Sequence, residues 1–185
     1  EQGNALFNPC EEITKEQWES LGWDLQHLPD KESSNYVIHC MLKSAKTDDS
    51  YSMLSITTDN SKYDDVIKHG KDLSDLKVTK PENVYVYDQY AESSRDSTCS
   101  AGVVTNRGRL GVALNSYASS RSTSKPSKEE VCQQAVDNLT AMLNLPIEVS
   151  AQPTKNPTPK SSEKATPAER PTQSERARSG ASNNA

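Results

Sequence analysis

Four cysteines, Cys10, Cys40, Cys99 and Cys132, constrain this chain more than any other feature. They are even in number and widely spaced, and none forms a C-x-x-C pair. The three histidines, His27, His39 and His69, complete no zinc-ligand spacing with them. Such cysteines suit two disulfides, and so an oxidising, extracytoplasmic compartment. Their partners follow from the elements that carry them.

Cys10 stands just before a well-marked helix start in "FNPCEEITKEQWESLGW". Thr14 and Gln17 fit a capping box, and Ile13 with Trp18 has the spacing of a hydrophobic staple. Gly22 is the natural stop. The predicted helix, Lys15 to Leu21, has about two turns and is too short to persist in water unless something outside it holds it down. In "NYVIHCMLKS", Tyr36, Ile38, Cys40 and Leu42 share one face of a strand. "SYSMLSITTD" is a second strand after the turn "AKTDD". "SKYDDVIKHG" reads as a short helix capped by Ser61, with a stripe of Tyr63, Val66 and Ile67 and a stop at Gly70. "ENVYVYDQYAES" and "TCSAGVVTNRGRLGVALNSY" supply three more strands, the last two meeting around "NRGR". "PSKEEVCQQAVDNLTAMLNLP" is the strongest helix, with a Ser127/Glu130 capping box, an apolar face of Cys132, Val136, Leu139 and Leu143, and Pro146 beyond its end.

Helices are too few to cover both faces of a parallel sheet. The predicted class is therefore α+β: an antiparallel sheet of about five strands with N-terminal, middle and C-terminal helices packed on it. Of the three possible connectivities we expect Cys10–Cys40, stapling the marginal helix to the first strand, and Cys99–Cys132, joining a later strand to the last helix. Each closes a loop of about thirty residues, worth on the order of 3.5 kcal/mol in the chain-entropy account.

Composition divides the chain. From Ser150 onward there is no Val, Ile, Leu, Met or aromatic residue, and five of the ten prolines fall there. This segment cannot bury enough apolar surface to offset its ordering entropy, so residues 150–185 are read as a disordered tail, either an unconstrained terminus or an extended spacer, and residues 1–149 as the domain. With six basic and three acidic residues the tail carries +3, and the total of −5 leaves −8 on the domain. That acidic balance argues against nucleic-acid binding by the domain. No apolar run approaches the ~20 residues that a membrane span needs, and no signal peptide is seen, so export would require a targeting segment already removed.

The cysteine framework and its surroundings, "FNPCEEITKEQWESLGW", "HCMLKS", "CSAGVVTNRGRLGVAL" and "EEVCQQAVDNLTAMLNLP", resemble the actinobacterial family of secreted lipoproteins known as domain of unknown function 3558. Members of that family are similar in order: Asn/Asp-Pro-Cys before a helix ending near Gly, a Cys on the first strand, a later strand Cys, and a Cys in the terminal helix before Leu-Pro. The resemblance runs from about Phe7 to Pro146. One departure is Met41 and Leu42, where members often carry a tryptophan. The resemblance implies an envelope location, usually through an N-terminal lipid anchor, and no established activity. An anchoring cysteine would lie upstream of Glu1, so membrane contact is expected only through an anchor absent from this chain.

For function, no G-x-S-x-G elbow and no calcium loop occurs, and Asp48-Asp49 and Asp64-Asp65 suit a turn and a helix start. We expect no enzyme, no cofactor and no metal; a secreted hydrolase with an unrecognised site is the alternative. A binding or accessory role is the leading expectation, with an envelope protein or a lipid or glycan ligand as partner. Its candidate surface is Tyr85 and Tyr87, alternating on one strand face, extended by Tyr90, because tyrosine suits a position half buried and half wet. Such rings can also simply edge a core. Trp18 and Trp23 are read as packing around the stapled helix. The formal sequon at Asn138 is discounted because it falls inside a packed helix.

Overall fold

The local signals at the N-terminus fold as their chemistry demands. A computed structural model of the chain describes residues 5–23, 30–33, 36–43, 50–89, 98–118 and 126–152. After a single turn, α1 (Pro9–Glu12), which the pattern reading did not separate, comes α2 (Lys15–Ser20), closed by the Thr14/Gln17 capping box. Gly22 adopts φ 82°. Its N–H donates to the Glu19 carbonyl, and that of Trp23 donates to Trp18, the paired bonds of a Schellman stop. Ile13 and Trp18 are both buried, and the Trp23 indole donates to Asn138 Oδ1 at 2.7 Å. That bond occupies the asparagine of the formal sequon.

The strands are β1 (Asp30–Ser33), β2 (Val37–Lys43), β3 (Ser50–Asp59), β4 (Lys71–Asp72), β5 (Tyr85–Asp88), β6 (Thr98–Thr105) and β7 (Gly108–Ala118), with α3 (Tyr63–His69) between β3 and β4 and α4 (Lys128–Leu143) last. They form one antiparallel sheet in the order β1-β2-β3-β7-β6-β5-β4. Two meanders meet at β3 and β7, whose register runs from Ser50 opposite Ala118 to Asp59 opposite Arg109. The fold is α+β as predicted. The five expected strands are present, and β1 and β4 add a short strand at each edge. They escaped the sequence reading because neither has the length to show an alternating pattern.

One face of the sheet is apolar. Cys40 and Leu42 of β2, Leu54 and Ile56 of β3, Leu110, Val112 and Leu114 of β7, Cys99, Ala101 and Val103 of β6, and Val84 with Val86 beside β6 are buried there against Val131, Cys132, Ala135, Val136, Leu139 and Met142 of α4. Complete burial of one such aliphatic side chain contributes about 1.5–3 kcal/mol. The disulfides pair as expected: Cys10–Cys40, with 5.7 Å between Cα atoms, pins the single turn α1 just before α2, and Cys99–Cys132, with 5.0 Å, pins α4. α4 carries the Ser127/Glu130 capping box, and its Lys128 ammonium bridges the Asp88 carboxylate at 2.7 Å and the Thr98 carbonyl.

Both described chain ends lie at the β6–β7 turn. Phe7 N–H donates to the Arg107 carbonyl, while the Arg107 guanidinium holds the Ala5 and Leu6 carbonyls and the Glu12 carboxylate. Beyond α4, Ser150 exchanges hydrogen bonds with Asn106, and Gln152 N–H donates to Val104. The boundary that composition sets after residue 149 thus falls just before these pairings, which depend on backbone groups that composition does not register. The rest of the tail, 153–185, lies outside the described residues, as do His27, Asp48, Asp49 and Tyr90.

Candidate binding cleft

The second face of the sheet is built from the alternate residues. In β6 and β7 it carries Gly102 and Gly111, which stand directly opposite each other. Their missing side chains leave a shallow floor. The Tyr85 ring lies on Gly102, where a Cβ would come within 2.6 Å of it, and the Arg109 guanidinium lies beside Gly111, where a Cβ would come within 2.9 Å of Nη1. α3 leaves the central strand β3, crosses this face and reaches the edge at β4. Its Tyr63 meets Tyr85 edge to face, with ring centroids 4.8 Å apart, and Tyr85 in turn meets Tyr87 at 5.7 Å.

A buried ion pair anchors the arrangement. Arg109 Nε donates to Asp59 Oδ1 at 2.8 Å, Nη2 donates to Asp59 Oδ2, and Nη1 donates to the Tyr87 hydroxyl at 3.0 Å. Asp59 also accepts the Ser61 N–H at 2.8 Å, which fixes the entry into α3. The cap of α3 is therefore Lys62 rather than the predicted Ser61. The Asp59 turn takes up the Ser61 amide and moves the helix start one residue on, while Asp65 accepts the Lys62 N–H at 3.4 Å.

Electrostatics follow the geometry. Burial opposes the charge on Asp59, yet the hydrogen bond and charge of Arg109, with the Ser61 bonds, hold its carboxyl below the usual range. Burial likewise opposes the Arg109 cation, and Asp59 and the neighbouring tyrosines more than offset it, so its pKa is raised. Burial pushes the Tyr85 hydroxyl up to about 12, partly countered by the Arg109 charge. That hydroxyl lies near the guanidinium but makes no hydrogen bond of good geometry. Tyr63 is pushed up to about 12 by burial and by Asp72, to whose carboxylate it donates at 3.3 Å.

Between α3 and strands β5 to β7 opens a cleft of about 480 Å³, lined by Ser61, Asp65, Val66, His69, Gly70, Tyr87, Gln89 and Arg109. A guanidinium has five N–H groups. Three of those on Arg109 are used in the bonds to Asp59 and Tyr87, and the Tyr85 hydroxyl stands beside the guanidinium as well. Elsewhere on the same face, on β2 and β3, His39 Nε2 and Ser55 Oγ lie 2.5 Å apart.

The expected tyrosine surface is corrected at Tyr85 and Tyr87. Tyr85 is 7% exposed and Tyr87 5%, so neither offers a ring to solvent. Their alternation on one face is as read, but α3 covers that face. Tyr90 lies outside the described residues. Trp18 and Trp23 pack in the core as expected. Sequence reading missed Asp59 and Arg109, which are fifty residues apart and meet only through the β3–β7 register. Their one local signal is a charge at the end of an apolar strand. The sequence pattern marks Ser61 only as a helix cap and gives His69 no zinc-ligand spacing.

The sequence profile of the family described as "Protein of unknown function (DUF3558)" matches residues 1–145. No curated protein and no solved structure matches the chain. The profile spans both disulfides, all three residues of the Asp59–Arg109–Tyr87 network and the start of every helix described above. On that match, which covers most of its length, the chain belongs to the DUF3558 family.

Proposed function

We propose that this chain is a non-enzymatic binding or accessory domain of the extracytoplasmic envelope, either lipid-anchored on its N-terminal side or secreted, and that it engages an envelope protein or a lipid or glycan ligand through the cleft under α3. The observation that carries the binding reading is the buried Arg109, held rigidly by Asp59 and Tyr87 in the lining of a cleft of about 480 Å³, with more N–H donors than these two partners take. The two disulfides support the location, since such bonds persist in oxidising compartments.

Two measurements test this. Thiol trapping in intact cells should find all four cysteines blocked as disulfides; free thiols would overturn the location. Titrating isotope-labelled protein with separated envelope protein, lipid and glycan fractions should shift the amides of Ser61, Asp65, His69 and Gln89. Silence from every fraction overturns the binding reading. A hydrolytic reading has one observation in its favour, the short His39–Ser55 contact. Covalent capture of Ser55 by a fluorophosphonate probe would replace binding with hydrolysis.

A further inference from the structure

We infer that the cleft under α3 takes a neutral, polyhydroxylated ligand of the carbohydrate class, an inference that rests on the binding reading above. The charge balance selects the class. Arg109 is the buried cation of the site, 7% exposed, and Asp59 neutralises it in a two-bond pair. The lining carboxylate, Asp65, adds negative charge at the rim. An anionic ligand would therefore meet the Asp65 carboxylate and a cation that is already paired, and that like charge disfavours it. A cation would face the unspent N–H donors of Arg109, which can only repel it.

Neutral hydroxyls fit both kinds of group. They can accept from guanidinium N–H groups that Asp59 and Tyr87 leave unused and from the Gln89 amide, and donate to Asp65 and to the Ser61 hydroxyl. One hydroxyl can do both. The donors are set in advance, because Asp59, Tyr87 and the Gly111 floor fix the guanidinium plane, so ordering it costs little on binding. Gly70 keeps the back of the cleft low: a Cβ there would come within 2.7 Å of the Asp88 carbonyl.

The test uses the full, oxidised, isotope-labelled chain. Short neutral gluco-, manno- and galacto-oligosaccharides are titrated against their uronic acid counterparts and against inorganic phosphate. At least one neutral saccharide should shift the Ser61, Asp65, His69 and Gln89 amides in a saturable way, and more tightly than either anion. Gln89→Ala, outside the ion pair, and Ser61→Ala, which also removes a hydroxyl bonded to Asp59, should each weaken that binding about two- to tenfold, the worth of one hydrogen bond. Tighter binding of the anions overturns the inference, as does a saccharide affinity that neither variant changes. If no saccharide moves these amides but a protein or lipid fraction does, the carbohydrate inference fails and the binding reading survives. If no fraction moves them, both fail.

Discussion

Asp59 is where one side chain carries most consequence. It pairs with Arg109 beneath α3, accepts the Ser61 amide, and is 6% exposed. Removing one partner of a buried pair leaves the other charge uncompensated, at a cost of about 3–5 kcal/mol. Asp59→Asn should therefore lower the urea midpoint clearly at neutral pH without changing the disulfides. The pH dependence has a fixed sign. The folded pKa of Asp59 lies below its unfolded value, which is about 3.9, so its contribution is fully present above that value and is lost as pH falls through the folded pKa. Wild-type stability should fall over that acid range, and the gap between wild type and Asp59→Asn should narrow there. A gap that stays constant down to pH ~2, below the ordinary carboxylate range, would show that the pair contributes no proton-linked stability.

Elements differ in how much of them the sequence displayed, and the difference is one of range. The Thr14/Gln17 and Ser127/Glu130 boxes, the Ile13–Trp18 staple and the Gly22 stop each involve residues within five positions, so they could be read directly and are found in place. The apolar strand faces could be read too, because alternation is local. The cleft could not. It depends on α3 crossing the face that carries Tyr85 and Tyr87, a matter of topology rather than period, and without that crossing the same two rings would stand in solvent as expected. Two glycines make the contrast testable. A Cβ at Gly22 meets nothing within 4 Å, so Gly22→Ala should incur only the left-handed backbone penalty, about 1–2 kcal/mol, and leave the cleft amides unmoved. Gly102 has no such backbone, but a Cβ there would come within 2.6 Å of the Tyr85 ring. Gly102→Ala should cost about 1–3 kcal/mol by overpacking and should also shift the Tyr63, Tyr85 and Arg109 resonances. Equal spectra for the two variants would mean that the floor does not position the cleft.

At the scale of the whole molecule, two disulfides join helices to one sheet face, but they are not equivalent. Cys99 and Cys132 are 1% and 0% exposed, whereas Cys10 is only half-buried above a fully buried Cys40. Thiolate attack requires access to a sulfur, so a small thiol such as dithiothreitol should open Cys10–Cys40 first: two reductant thiols become one disulfide as the protein gains two thiols. Alkylation and mass spectrometry at graded reductant should then find label on Cys10 and Cys40 while Cys99 and Cys132 stay joined. The N-terminal segment should not leave at that stage. Phe7, Ile13 and Trp18 remain buried, Arg107 still binds the Ala5 and Leu6 carbonyls and Glu12, and Trp23 still donates to Asn138. The chain has two tryptophans, Trp18 and Trp23, both in this segment, so intrinsic fluorescence reports on its docking directly. Emission should hold its position through the first reduction and move to longer wavelength only when Cys99–Cys132 opens or denaturant is added. A red shift that accompanies the first reduction would show that Cys10–Cys40, rather than burial, holds the segment down. Simultaneous labelling of all four cysteines would show that the sheet opens as one unit before either bond becomes accessible.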